Sequence, residues 1–293
     1  MSKRIALFLV ALATICHTLQ AAPIWQYQQP NQSISDDYFL GTIHIGDKRL
    51  GGLSAQIKQI IDDVDVVALE LDLSRLTAQQ KNQISLKYGL LPAGKSLATE
   101  LSPKIYQEAA AFLTQHGLNI EQMAQFKPWM LGLTMVQLTY AKQGLMPDNG
   151  IDLQIFQYAK QQGKRIIGLE TMEQQLSFFD SIFAQNPSLT ADDIIIDTLA
   201  ELREHKHLPN RMIEAWLAGD LTAFKAIYKA TLNESIFDIA AERILLAQRN
   251  KDWQQQLSLI LPHNKTLVAV GTLHFVGDSS LVKLYSGALT PLK

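Results

Sequence analysis

Four short stretches of this chain are apolar at nearly every position. They are Tyr38–Ile45 (YFLGTIHI), Val64–Leu71 (VDVVALEL), Lys164–Glu170 (KRIIGLE) and Thr266–Leu273 (TLVAVGTL). Runs this short, rich in β-branched residues and without polar alternation, predict strands covered on both faces, as in an α/β sheet. Between them the apolar positions fall three and four apart, the spacing of a helical stripe. Leu53, Ile57, Ile60 and Ile61 form one stripe, and Ile151, Ile155, Phe156 and Ala159 form another. Gly163 then stands where a helix-ending glycine belongs, directly before the third strand.

The middle of the chain is predicted to be mostly helical. Ser102–His116, Pro128–Gln143, Thr190–His205, Asn210–Ala218, Leu221–Ala230 and Ser235–Leu261 all carry the three-and-four spacing. Pro92, Pro103, Pro128, Pro147, Pro187 and Pro209 mark breaks between them. Lys127-Pro128-Trp129 reads as a helix entry, with proline in the first turn. No low-complexity linker divides the chain. The expected architecture is one α/β domain over residues 23–293, a central mixed sheet from two related strand–helix halves, with a large helical insertion at about 90–262 forming a cap.

The N-terminus changes this picture in one respect. Lys3 and Arg4 precede an apolar run from Ile5 to Cys16, and Gln20-Ala21-Ala22 supplies small residues. This is the build of a secretory signal peptide over residues 1–22, and the run is shorter than the ~20 residues a spanning helix needs. The expectation is a periplasmic or secreted protein, cleaved near Ala21 or Ala22. Cys16 is the only cysteine, so the mature chain would hold no disulfide and any metal would rest on His, Asp or Glu. Removing Lys3 and Arg4 from 26 basic residues leaves 24 against 28 acidic ones, a balance of −4 without basic runs. That argues against a nucleic-acid partner. No second long apolar segment follows, so no membrane span is expected in the mature chain.

Candidate chemistry begins with a repeat. GTIHIG at Gly41–Gly46 recurs as GTLHFVG at Gly271–Gly277, each with a following aspartate, Asp47 and Asp278. In α/β sheets functional groups gather beyond the carboxyl ends of strands. A lone histidine there reads as a core residue bonded to a carbonyl, but His44 and His274 share one local frame, which favours a joint site. Glu70 ends an otherwise apolar strand, with Asp72 two residues on; Glu170 ends another. Buried carboxylates require a cation or a metal. The bland alternatives are a structural ion pair for Glu70 and, for Glu170, the position just before a helix capped by Thr171 and Gln174. Two imidazoles and two carboxylates suit a divalent ion such as manganese, cobalt or zinc. Arg249 could clamp a substrate carboxylate or an oxyanion, or pair with an acidic neighbour. His205 and His207 read as solvated, and His116 and His263 have no partner pattern. HExxH, GxSxG, GxxxxGK[ST] and GxGxxG are all absent from the sequence.

Taken in order, GTIH, ELD, KPW, GID, GLET, the separated Glu242-Arg243 and Arg249-Asn250, and GTLHFVGD resemble the TraB/PrgY/GumN family, related to the TIKI metalloproteases. The resemblance runs from about Tyr38 to the C-terminus. It implies an α/β fold with two related halves and an active site from the two GxxH motifs, Gly41–His44 and Gly271–His274, with Glu70 and Glu170. For the TIKI branch it implies metal-dependent peptidase activity; for the bacterial branch it implies no assigned chemistry.

The leading expectation is therefore an exported metal-dependent hydrolase acting on peptides or another small substrate. His44, His274 and Glu70 are the candidate metal ligands, and Glu70, Glu170 and Arg249 the candidate catalytic groups, one glutamate serving as general base and Arg249 steadying an oxyanion. Two alternatives stay open. One is a metal-independent hydrolase using Glu–His pairs; the other is a non-catalytic periplasmic binder of peptide or metal.

Overall fold

The computed structural model describes residues 22–29, 37–231 and 235–292. The export signal expected at residues 1–22 lies outside the described residues, save for Ala22. The chain runs through β1 (Ile24–Tyr27), β2 (Asp37–Thr42), α1 (Ala55–Asp63) and β3 (Val66–Leu71). Helices α2 (Ala78–Gly89), α3 (Leu97–Glu100), α4 (Pro103–Gln115) and α5 (Pro128–Lys142) follow. Next, α6 (Ile151–Gln161) leads into β4 (Arg165–Glu170). Gly163, at φ +67°, ends α6 in the left-handed region, as its position predicts. The Lys164 N–H then donates back to the Ala159 carbonyl at 2.9 Å.

After β4 come α7 (Met172–Ala184), α8 (Ala191–Glu204), α9 (Leu208–Ala218), α10 (Leu221–Thr231) and α11 (Ile236–Ala241). A π-helical segment, Glu242–Gln248, joins α11 to α12 (Arg249–Ile260). The continuous helix read from Ser235 to Leu261 is thus broken in character just before Arg249. The chain closes with β5 (Thr266–Gly271), α13 (Leu281–Leu284) and β6 (Leu289–Pro291).

The strands form one mixed sheet in the order β4-β3-β5-β2-β1-β6. The four apolar runs supply its parallel part, with Leu71 opposite Glu170, Leu69 opposite Ala269 and Thr42 opposite Gly271. This register aligns the carboxyl ends of β2, β3, β4 and β5 along one rim. The β2–α1–β3 unit straddles β5, so the N-terminal half encloses a strand from near the other end. β1 and β6 add antiparallel strands that the apolar pattern did not reveal. Both are short, and β6 ends in Pro291, which an edge strand tolerates.

Alternate strand residues face two helical layers, which is why the runs lack polar positions. Leu40, Val67, Leu69, Leu267 and Ala269 pack with Ile57, Ile151, Trp216 and Phe224 of α1, α6, α9 and α10. Phe39, Ala68, Val268 and Val270 pack with Trp253 and Leu257 of α12. A separate core of Leu97, Leu113, Met135 and Ile195 holds α3, α4, α5 and α8 together as a cap. Asp180 of α7 ties cap to body by accepting from Lys127 Nζ at 2.6 Å and Trp129 Nε1 at 3.1 Å. Among the described residues no helix is long and apolar enough to cross a membrane.

Candidate functional site

Every candidate singled out in the sequence reaches the rim formed by the parallel strands' carboxyl ends. Glu70 and Glu170 close β3 and β4; the turn after β5 carries His274, in a 3-10 helix over Thr272–Phe275 rather than in the strand itself. His44 lies two residues beyond β2. The segment around His44 is held by the start of α6, where the Ile151 N–H donates to the Ile43 carbonyl at 2.8 Å. Gly150 permits this approach, because a side chain there would collide with the His44 carbonyl. Asp152, in the first turn of α6, is thereby brought to 3.0 Å from His44 Nδ1.

The two glutamates share one cation. Arg249, at the start of α12, donates from Nη2 to Glu70 Oε2 at 2.6 Å and to Glu170 Oε2 at 2.9 Å, and from Nε to Glu170 Oε1 at 2.8 Å. Its remaining Nη1 donates to the Leu245 carbonyl of the π-helical segment at 3.0 Å. The guanidinium also lies 4.7 Å from the Trp253 ring centroid. Gln175 of α7 bridges both carboxylates, 3.2 Å from Glu170 and 3.4 Å from Glu70. Its helix begins at Thr171, whose side chain and Gln174 form the capping box read from the sequence. Burial opposes ionisation of both carboxyls. In Glu70 it is outweighed by His44, by Arg249 and by the Gly271 N–H donating at 2.9 Å, so that carboxyl stays well below its usual range. In Glu170 burial prevails over Arg249 and the pKa is raised.

The histidines differ sharply. His274 is buried, its side chain 4% exposed, and its Nδ1 is 2.7 Å from Asn250 Oδ1. Asn250 Nδ2 donates to the His274 and Ser279 carbonyls, which fixes the amide oxygen toward the ring and so the proton on His274 Nδ1. Burial lowers the His274 pKa to about 3, against the pull of Glu70, and the ring is neutral. Arg249 Nη1 lies 3.4 Å from its Nε2. The His44 side chain is 60% exposed, and Asp152, then Glu70, shift its pKa upward. Both Nε2 atoms face Glu70 Oε1, at 3.7 Å from His44 and 3.8 Å from His274. Gly271 borders the space between them: a Cβ there would lie 3.3 Å from both His44 Nε2 and Glu70 Oε1. Outside it opens a cavity of about 310 Å³ lined by His44, Glu70, Asp152, Leu153 and Gln175, among others.

The donor set suits a borderline divalent ion. Asn250 places the His274 proton on Nδ1 and leaves its Nε2 lone pair beside the ionised Glu70 oxygen, the arrangement that supporting groups give metal-ligating histidines. His44, whose pKa Asp152 and Glu70 raise, would offer its Nε2 to an ion by giving up the proton held there. Donors ~2.1 Å from a tetrahedral ion stand ~3.4 Å apart, so the pairs at 3.7 and 3.8 Å need to close by a few tenths of an ångström. Among the described residues no three His, Asp or Glu side chains already stand at cage distance. Asp152, Gln175 and Trp253 were not singled out from the sequence. Asp152 does fall within the Gly-Ile-Asp triplet and Asn250 beside Arg249, both in the motif series; Gln175 and Trp253 carry no local signal.

A family model for the TraB/PrgY/gumN family matches residues 23–286. The uncharacterized protein YbaP of Escherichia coli (strain K12) is 25% identical over 247 residues, covering 84% of this chain and 86% of that protein. An uncharacterized protein of Treponema pallidum (strain Nichols) is 22% identical over 268 residues, covering 88% of this chain and 78% of its own length. No solved structure matches.

Proposed function

The chain belongs to the TraB/PrgY/gumN family, and we propose that it is an exported hydrolase of peptides that works with a divalent metal ion at His44, His274 and Glu70. The observation that carries this reading is the convergence of the His44 and His274 Nε2 atoms on Glu70 Oε1 around a side-chain-free Gly271. Manganese, cobalt or zinc bound there would polarise a carbonyl and acidify water near neutral pH. The protein's own groups prepare that site. Asn250 holds the His274 proton at Nδ1, and Asp152 orients His44 from its first-turn position on α6. His44 and Arg249 together keep Glu70 ionised.

The contacts redistribute the roles expected from sequence. Both Glu170 oxygens are engaged by Arg249, which removes Glu170 as a free general base and makes it a positioning residue for the arginine. Arg249 in turn has Nε, Nη1 and Nη2 committed to Glu170, Leu245 and Glu70, so it acts as a fixed internal cation rather than an oxyanion donor. The exposed His44 beside ionised Glu70 also supports a metal-free reading, with His44 as general acid and Glu70 as base.

The test pairs metal analysis of the purified protein with peptide hydrolysis, for the wild type and for His44→Ala and His274→Ala. Loss of both bound ion and turnover in each variant supports the proposal. Turnover that survives exhaustive chelation selects the metal-free reading. Stoichiometric peptide or metal binding without turnover would make the protein a binder. Export is tested by the mature N-terminus, which mass spectrometry should place near residue 22 or 23.

A further inference from the structure

A second cavity, of about 480 Å³, adjoins the site and shares its wall at Leu71, Leu73 and Gln175. It opens between the loop after β3 and the loop after β4, and Glu170 forms part of its lining. Its other walls include Leu76, Met172 and Leu176. These apolar side chains are only half-buried. Leu71, Leu76 and Met172 join none of the four apolar cores formed among the described residues. Apolar surface gathered around a hollow, instead of being consumed by the protein's own packing, is the mark of a ligand subsite. The charges on its lining do not favour an ion. Asp72 is paired with Arg75 at 3.0 Å and Glu170 with Arg249 at 2.8 Å, leaving Lys81 and Glu173, one of each sign.

We propose that this cavity receives an apolar stretch of a peptide substrate, two or three residues long, on one side of the bond presented to His44 and Glu70. The inference rests on the peptide-hydrolase reading and adds the substrate's character to it. Size selects the occupant: the cavity exceeds one leucine or phenylalanine side chain several times over and falls within the ~300–1,000 Å³ of ordinary ligand sites. Continuity selects its place in the substrate. Gln175, hydrogen-bonded to both glutamates, forms the shared wall, so a chain crossing from one cavity to the other passes directly over Glu70 and Glu170. The wall residues sit at the end of β3, in the short turn after it and in the first turns of α7, positions where half-exposed apolar side chains are left for a partner rather than for the protein's own packing.

The test uses two fluorescent hexapeptides that differ at adjacent central positions, Leu-Phe in one and Gly-Ser in the other. Binding and cleavage are measured on the full protein and on Leu76→Glu and Met172→Glu, two half-exposed positions outside the cores. The Leu-Phe peptide is expected to bind at least about tenfold more tightly, ~1.4 kcal/mol, and each glutamate substitution to erase that preference. A second variant guards against a folding defect in the first, and circular dichroism checks both. Equal binding of the two peptides by the wild type, or none of either, overturns the proposal, as does a preference that both variants retain. Cleavage of both peptides without apolar preference would remove the subsite and leave the hydrolase reading standing. Apolar-selective binding without cleavage would do the reverse.

Discussion

Replacing Arg249 with methionine keeps most of the side-chain volume and removes the cation from between two buried carboxylates. The guanidinium is 10% exposed and makes three bonds to Glu70 and Glu170, at 2.6, 2.8 and 2.9 Å. Stranding a buried charge by removing its partner costs about 3–5 kcal/mol. A carboxylate escapes part of that cost by taking up a proton. Starting from an unfolded pKa near ~4.3, at ~1.36 kcal/mol per unit, protonation limits the charge penalty to about 3.7 kcal/mol per carboxylate at pH 7 and about 1 kcal/mol at pH 5. The expected loss is therefore about 3–5 kcal/mol at pH 7 and below about 2 kcal/mol at pH 5. The sign follows from linkage: Glu170, already raised with the guanidinium in place, titrates higher still without it, so the native state binds more protons there and stability falls as pH rises above the unfolded value. Glu70 keeps His44 and the Gly271 N–H and shifts less. Urea denaturation followed by tryptophan fluorescence at the two pH values measures both quantities. Adding Glu70→Gln and Glu170→Gln should restore much of the loss at pH 7. A loss under about 1 kcal/mol at pH 7, or an equal loss at both pH values, would refute the view that Arg249 is the counter-ion the fold depends on.

Two further outcomes follow from the geometry. Gly271→Ala places a methyl 3.3 Å from His44 Nε2 and from Glu70 Oε1 at a backbone conformation alanine adopts freely, φ −50° and ψ 136°. Turnover should fall at least about 100-fold, ~2.7 kcal/mol, with only a small change in Tm; a variant as active as wild type would empty the space at Gly271 of meaning. Asp152→Asn removes the main cause of the raised His44 pKa, so its titration by NMR should move down toward 6.5 while His274 stays neutral across pH 5–8. The raised His44 value contributes stability that is present below 6.5 and lost as pH rises toward about 10, so the variant should be less stable than wild type near neutrality and decline less between pH 7 and 10. An unmoved His44 titration would assign the shift to Glu70 instead.

The parallel part of the sheet was legible because both its faces are covered, leaving no polar positions to obscure runs such as VVALEL and TLVAVG. β1 and β6 were not, since four and three residues give no period to read. Helix α2 escaped notice because its sequence AQQKNQISLKYG is polar on most sides and buries only Gly89. The meeting of His44 and His274 was signalled by one motif written twice. Arg249 was the harder case: the sequence offered an oxyanion clamp or an acidic partner, and only the strand order reveals that its partners are the two strand-end glutamates. Asp152 and Gln175 lie on helices whose facing toward the site is set by tertiary packing, which no local pattern encodes.

The position of β5 has a consequence for how the molecule is made. This middle strand joins β3–β4 to β2–β1, yet it follows both pairs in the chain, nearly a hundred residues after β4. Until β5 is in place the sheet is two separate strand pairs, and its rim lacks Gly271 and His274. Pairings this distant along the chain form slowly. Assembly of the chemistry thus becomes a late event of folding, because Gly271 and His274 join the other site residues only when β5 is in place.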